Sequence, residues 1–89
     1  MKIKYAKLFL KDIEKLAGQQ NVSENVLNSI SILKEAESLV KVANVKAIQG
    51  YASYYRIRIG NHRIGLKKTE EGIELIRCLH RKDIYRMFP

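Results

Sequence analysis

An alternating pattern around one tight turn constrains this chain most. The segment 55–67 alternates apolar and polar side chains on both sides of Gly60-Asn61. A glycine–asparagine pair between two such runs is typical of a two-residue β-hairpin turn. The turn fixes the register of the two strands, so that Arg58 is expected to lie directly opposite Arg63. The sequence therefore predicts an antiparallel hairpin with a defined pairing.

This register divides the hairpin into two unlike faces. The apolar face comprises Tyr55, Ile57, Ile59, His62, Ile64 and Leu66. The other face carries Tyr54, Arg56, Arg58, Arg63 and Lys67, with Gly65 at its centre. Like charges directly opposite one another cost up to about 1 kcal/mol per pair, and no carboxylate is interleaved to relieve them. A surface that binds a polyanion explains this crowding better than a solvated strand face does.

Elements of helical period precede the hairpin. Apolar residues repeat at helical spacing from Phe9 to Leu16 and again from Val26 to Val40. Gly18 is placed to end the first helix, and Ser23 is a good N-cap for the second. Short strands are predicted at Met1–Lys4 and Val45–Ile48, and a mid-sheet strand at Ile73–His80.

The order of these elements indicates one domain over residues 1–89. We expect an α+β fold of order β-α-α-β-β-β, in which an N-terminal strand and a helical hairpin pack on one face of a small antiparallel sheet. The last segment, Arg81–Pro89, is basic and aromatic and is assigned no regular structure.

The distribution of charge points to a nucleic-acid partner. The formal net charge is +8, and all six arginines lie after residue 50. The guanidinium group suits forked contacts to phosphate and stacking on bases, whereas lysine on a helix surface mainly adds solubility. From Gln49 to Thr69 there is no acidic residue. The second part of the chain therefore carries the predicted binding surface.

Several other classes are disfavoured. Cys78 is the one cysteine, so an intrachain disulfide is excluded, and we expect a core role for it. No apolar run approaches a membrane span, and the charged N-terminus is unlike a signal peptide, so a cytoplasmic location without membrane contact is expected. No Cys pair, HExxH motif, carboxylate cluster, phosphate loop or serine motif is present, so we expect no metal and no cofactor.

RNA hydrolysis needs only cations and proton donors, because the 2′-hydroxyl group of RNA is the nucleophile. Arginines can stabilise the charge on phosphorus, and a Tyr, Arg or His can protonate the departing 5′-oxygen. His62 and His80 have the most suitable unperturbed pKa for a general base, although both can instead lie on the core side of the sheet.

Two stretches of this chain resemble RelE-type toxins of the RelE/ParE superfamily. They are Tyr54–Ile64 and His80–Arg86, and the helical hairpin beginning near Phe9 occupies the expected place. The resemblance implies the toxin of a type II toxin–antitoxin pair. Such a toxin is a metal-independent endoribonuclease that cleaves mRNA in the ribosomal A site through 2′-hydroxyl attack and so inhibits translation.

The resemblance also implies roles for particular residues. The implied catalytic set is Arg56, Arg58, Arg63, Arg81 and Tyr85. Arg56 and Arg58 match a pair of basic residues on the second sheet strand, and Arg63 matches the basic residue that contacts the scissile phosphate. Arg81 and Tyr85 match the C-terminal pair that assists leaving-group chemistry and stacks on or orients a base. The implied substrate-binding set is Tyr54, Lys67, His80, Lys82 and Arg86. The implied partners are mRNA, the ribosome and a cognate antitoxin in a hetero-oligomer.

Two alternatives stay open. ParE-like toxins share this fold and inhibit DNA gyrase without being nucleases, and a non-catalytic RNA-binding module would use the same face. The resemblance favours the nuclease because ParE-like toxins generally lack the full set of basic residues together with the tyrosine.

Overall fold

The computed structural model describes all 89 residues, Met1–Pro89. The elements are β1 (Lys2–Tyr5), α1 (Lys7–Lys15), α2 (Gln20–Glu35), a 3₁₀ turn (Leu39–Lys41), β2 (Val45–Ala47), β3 (Tyr54–Ile59), β4 (His62–Lys68), β5 (Gly72–His80) and α3 (Arg81–Met87). The α+β class is confirmed, with a strand and two helices before the sheet strands as predicted. The sheet has one strand more than the order β-α-α-β-β-β, because Val45–Ala47 forms β2 as well as the hairpin and β5, and the basic tail adds a third helix. None of the helices combines the length and apolarity that crossing a membrane requires.

The five strands form one sheet of order β1-β5-β4-β3-β2. The hairpin has the predicted register, with Arg58 opposite Arg63, and β5 has the predicted mid-sheet place. The prediction of an antiparallel sheet was wrong at one strand, because β1 runs parallel to β5 with Ile3 opposite Ile73. The helical hairpin carries the chain across to β2, and the meander then returns β5 to β1 in the same direction, which makes the sheet mixed.

Helices α1 and α2 cover the apolar face of the sheet. The buried cluster there contains Phe9, Leu16, Val26, Leu33, Leu39, Ile57, Ile59, Ile64, Leu66, Ile73, Leu75 and Cys78. Every residue of the predicted apolar face is buried except Tyr55, which is half-buried against the cluster. The core role expected for Cys78 is confirmed, and burial raises the pKa of its thiol to about 12.

The helical hairpin packs on one face of the sheet as predicted, whereas helix α3, which was not predicted, lies on the other face. It is anchored by Ile84 and Phe88, which are buried. A Cβ atom built on Gly65 would lie 2.5 Å from the ring of Phe88, well inside van der Waals contact. The space that Gly65 leaves in the middle of the cationic face is therefore filled by this aromatic ring, and the ring holds α3 on the sheet.

The junction between α1 and α2 differs from the prediction at Ser23. Helix α2 begins at Gln20, and its N-cap residue, Gln19, makes no side-chain capping bond. The hydroxyl of Ser23 instead donates to the carbonyl oxygen of Leu16 at 2.9 Å. Ser23 as an N-cap was therefore wrong, because its hydroxyl ties the second helix to the end of the first.

A buried carboxylate on α1 closes a gap at the edge of the sheet. Strand β1 ends at Tyr5, opposite Leu75, so the rest of β5 has no strand on that side. Asp12 accepts a hydrogen bond from the backbone N–H of Cys78 at 2.9 Å and from Nε of Arg77 at 2.8 Å. The hydrogen bond to Asp12 raises the pKa of Arg77. This contact, which no sequence pattern indicated, supplies the acceptor that a neighbouring strand would otherwise provide.

Candidate nucleic-acid interface

A cleft of about 380 Å³ opens on the cationic face between α3 and the start of β2. We call it the arginine cleft, and its lining residues are Asn44, Val45, Lys46, Arg56, Arg58, Arg63 and Tyr85. Four of these side chains are cations and none is a carboxylate. No ion pair in the structure involves any of the four. The cleft is therefore a site of uncompensated positive charge.

Three arginines form the floor of the cleft because β3 and β4 alternate their side chains. Arg58 is exposed, and Arg63 lies directly opposite it. The NH1 group of Arg63 donates to the carbonyl oxygens of Gly60 at 2.8 Å and of His62 at 2.9 Å. The hairpin turn thus holds one corner of this guanidinium group and leaves its other N–H groups for a ligand.

Helix α3 forms one wall and contributes Tyr85. The Cζ atom of Arg56 lies 4.4 Å from the centre of the Tyr85 ring, which is a cation–π contact. The tyrosine is nevertheless 65% exposed. One side of the ring is therefore fixed by a guanidinium group from β3, while much of the ring is accessible to a base that stacks on it.

Tyr54 and Lys67 lie on the same face of the sheet but outside the cleft. The Nζ atom of Lys67 is 5.5 Å from the centre of the Tyr54 ring. The Tyr54 ring in turn packs against Phe88, with ring centres 5.8 Å apart. This aromatic cluster supports the end of α3 and continues the cationic face beyond it.

Both histidines lie away from the cleft. His62 and His80 are opposite one another in the ladder, with ring centres 5.4 Å apart. Burial lowers the pKa of His62, and the charges of His80 and Arg63 lower it further. The Nδ1 atom of His80 accepts a hydrogen bond from the backbone N–H of Lys82 at 3.2 Å, which caps α3. The structure thus favours the core-side alternative, and neither imidazole lines the cleft.

The other basic residues of the tail lie outside the arginine cleft. Arg81, Lys82 and Arg86 are exposed on α3, and none of them lines the cleft. Arg86 forms an ion pair with Asp83 at 2.9 Å. Of the five predicted catalytic residues, the structure brings four together and leaves Arg81 outside.

Arg77 on β5 is a further arginine that does not line the cleft. It lies opposite Gly65 in the ladder and so shares the register of the cationic face. A register shift between Gly65 and Leu66 interrupts the ladder at this point, and the guanidinium group of Arg77 binds Asp12 at the sheet edge. Arg77 therefore contributes to stability and leaves the cleft to the other arginines.

Asn44 and Lys46 are cleft residues that sequence reasoning missed. Lys46 lies opposite Arg56 in the β2–β3 ladder. The strand Val45–Ile48 was predicted, but its neighbour in the sheet was not. Alternation places Lys46 on the cationic face as soon as β2 is paired with β3, so the missing information was the strand order.

Fold and cleft together define a small basic α+β protein with an arginine-rich site, and comparisons with known proteins identify its relatives. The family model described as ParE toxin of type II toxin–antitoxin system, parDE, matches residues 3–85. Toxin RelE3 of Methanocaldococcus jannaschii is 39% identical over 90 residues, which cover 100% of both chains. The chain therefore belongs to the RelE/ParE superfamily of type II toxins, and its likeness to Toxin RelE3 assigns it to the RelE family.

Solved structures agree with this assignment. A chain of the RelB–RelE antitoxin–toxin complex from Methanococcus jannaschii superposes with a TM-score of 0.79 at 37% identity, over 97% of this chain and 99% of that one. A chain of the Escherichia coli DinJ–YafQ toxin–antitoxin complex gives a TM-score of 0.77 at 15% identity, over 94% and 96% of the two chains. The second comparison shows that the fold persists in distant sequences.

Proposed function

We propose that this toxin is a metal-independent, ribosome-dependent endoribonuclease that cuts mRNA in the A site and so inhibits translation. The observation that carries the proposal is the assembly of Arg56, Arg58, Arg63 and Tyr85 in one cleft without carboxylates. These residues come from β3, β4 and α3, and they include four of the five residues that the resemblance to RelE-type toxins assigns to catalysis.

The chemistry follows from the groups in the cleft. The 2′-hydroxyl of one nucleotide attacks the adjacent phosphorus, the bond to the 5′-oxygen breaks, and a cyclic phosphate and a free 5′-hydroxyl result. Fixed guanidinium groups stabilise the negative charge that builds on the phosphoryl oxygens. Arg63 is the best oriented of them because two carbonyl oxygens hold it. We assign the protonation of the departing oxygen to the phenol of Tyr85, which lines the same cleft.

The dependence on the ribosome is proposed because the cleft is poor in proton acceptors. A guanidinium group does not lose its proton in proteins, and both histidines lie on the core side of the sheet. The ribosome would then orient the 2′-hydroxyl for attack and help to remove its proton. Equal cleavage of naked RNA and ribosome-bound mRNA would contradict this part of the proposal.

We further propose a cognate antitoxin as the partner in a toxin–antitoxin hetero-oligomer. The RelE and YafQ proteins of the two solved structures are bound there to their antitoxins, RelB and DinJ. An antitoxin with an acidic contact segment would neutralise the uncompensated charge of the arginine cleft. Lys82 and Arg86 on α3, His80 at its cap, and Tyr54 and Lys67 on the sheet remain predicted substrate-binding residues, and Arg81 remains a predicted catalytic residue that lies outside the cleft.

Induction of toxin variants, followed by primer extension on cellular mRNA, tests the proposal. We expect growth arrest and new cuts within translated mRNA for the wild type. Arg63→Ala and Tyr85→Ala should each lose both effects. Lys11→Ala is the matched control, because it removes one exposed charge from α1 on the opposite side of the sheet. Arrest with DNA-damage signalling and without cuts would instead support inhibition of gyrase.

A further inference from the structure

The wall of the cleft opposite Tyr85 is formed by β2 and carries one exposed cation. Lys46 lines the cleft, and its ammonium group makes no hydrogen bond or ion pair. The neighbouring Asn44 has a left-handed backbone conformation, with φ of 66°. Its carbonyl oxygen accepts a hydrogen bond from the N–H of Arg58 at 3.0 Å, which fixes this wall to the arginine floor.

The position of Lys46 is unfavourable for the isolated fold. Lys46 lies directly opposite Arg56, and like charges so placed destabilise a sheet. Lysine on an edge strand also discourages pairing between sheets, but a glutamate would serve that purpose equally and would pair with Arg56. A ligand phosphate bound at Lys46 offsets the repulsion between the two cations, which edge protection does not.

The four cations are distributed across three adjacent strands. Arg63 lies on β4, Arg56 and Arg58 on β3, and Lys46 on β2. Neighbouring strands are about 4.8 Å apart, so Arg63 on β4 and Lys46 on β2 are separated by roughly 10 Å across the sheet. A single phosphate group is smaller than this distance, so the four cations have room for consecutive phosphates of one RNA strand.

We propose that Lys46 is a substrate-binding residue that contacts an RNA phosphate next to the one held by the three arginines. The inference rests on the proposed function and extends it: the RNA site continues from α3 across the sheet to its edge strand. Lys46 contributes binding of the strand and leaves the chemical step to the floor of the cleft.

Single-turnover cleavage of mRNA on programmed ribosomes is the first test. We expect Lys46→Ala to raise the toxin concentration for half-maximal cleavage by about tenfold while the maximal rate stays within about twofold. Lys46→Arg should restore most of the loss, since it keeps the charge, and Lys11→Ala should match the wild type. Half-maximal concentrations for Lys46→Ala equal to those for Lys11→Ala would overturn the assignment.

A second experiment does not depend on cleavage. It measures the binding of a fluorescent single-stranded oligoribonucleotide by anisotropy at several salt concentrations. One lost phosphate contact should lower the slope of log affinity against log salt by about 0.7 in Lys46→Ala. Absence of cleavage by the wild type would refute the proposed function, whereas unchanged RNA affinity and slope in Lys46→Ala would refute this inference alone.

The variant Lys46→Glu separates binding from folding. The glutamate would face Arg56 favourably, so a loss of RNA binding in this variant could not come from a less stable fold. We expect a melting temperature no lower than that of the wild type together with RNA binding weaker than that of Lys46→Ala. Wild-type RNA affinity in this stable variant would contradict a phosphate contact.

Discussion

The substitution Gly65→Ala should loosen the helix that carries Tyr85. The added Cβ atom would lie 2.5, 2.6 and 2.7 Å from three atoms of the Phe88 ring, closer than carbon atoms approach without displacement. The backbone at Gly65 lies within a β-strand and needs no glycine for its own conformation. The effect of the substitution therefore acts through the Phe88 ring, which must move with the end of α3.

The expected destabilisation follows from the packing. Overfilling a packed site costs about 1–3 kcal/mol, and complete expulsion of a buried phenylalanine side chain would cost about 1.5–3 kcal/mol. Loss of glycine flexibility in the unfolded chain offsets this by about 0.4–1 kcal/mol. A net loss of about 1–2 kcal/mol should lower the melting temperature by about 5–15 °C for a domain of this size.

A double-mutant cycle with Phe88→Ala tests the mechanism. Removal of the ring opens the space above Gly65, so in that background Gly65→Ala should be neutral or stabilising by up to about 1 kcal/mol. The coupling energy should then equal the steric cost of about 1–3 kcal/mol. Thermal unfolding by circular dichroism gives all four stabilities. Equal losses from Gly65→Ala in both backgrounds, or no loss in either, would refute the reasoning. Cleavage should fall with Gly65→Ala, since Tyr85 would leave its place beside Arg56.

Three further predictions concern buried polar groups. Asp12→Ala should lower the free energy of unfolding by about 3 kcal/mol, because Arg77 and the N–H of Cys78 lose their acceptor. Urea denaturation measures this change, and a loss below about 1 kcal/mol would contradict the prediction. The lowered pKa of His62 stabilises the fold above the ordinary value of 6.5. This stability is lost as the pH falls from 6.5 through the pKa of His62 in the folded protein. The melting temperature should therefore drop over this pH range. The drop should be smaller in His62→Phe, and an identical pH profile would exclude His62 as its source. The thiol of Cys78, with its pKa raised to about 12, should react with a disulfide reagent at pH about 8 only after denaturant is added, and rapid native labelling would show that the strand opens.

The hairpin was predictable because its information is local. A two-residue turn and strict alternation determine which residues face one another, and so the arginine floor could be derived residue by residue. Arg58 lies opposite Arg63 and Arg56 opposite Gly65, as expected. The same local rules identified β5 as a central strand from its apolar composition.

The rest depended on contacts between distant parts of the chain. Nothing near Met1–Lys4 indicates that β1 pairs with β5, or that the pairing is parallel. Seven residues are too few for α3 to form from helix propensity alone, so its existence depends on Phe88 packing over Gly65. Lys46 was missed for the same reason, because its place in the cleft follows from the pairing of β2 with β3.

The parallel pairing of β1 with β5 also bears on when the protein can fold during its own synthesis. The strand that lies between β1 and β4 is residues 72–80, so it is synthesised after all the other strands of the sheet. Until it emerges, β1 has no partner and α1 lacks the strand edge that Asp12 covers. Pairings of such high sequence separation form late because closing the long loop is entropically costly. We therefore expect the nascent chain to stay unfolded until β5 has been synthesised and has left the ribosome.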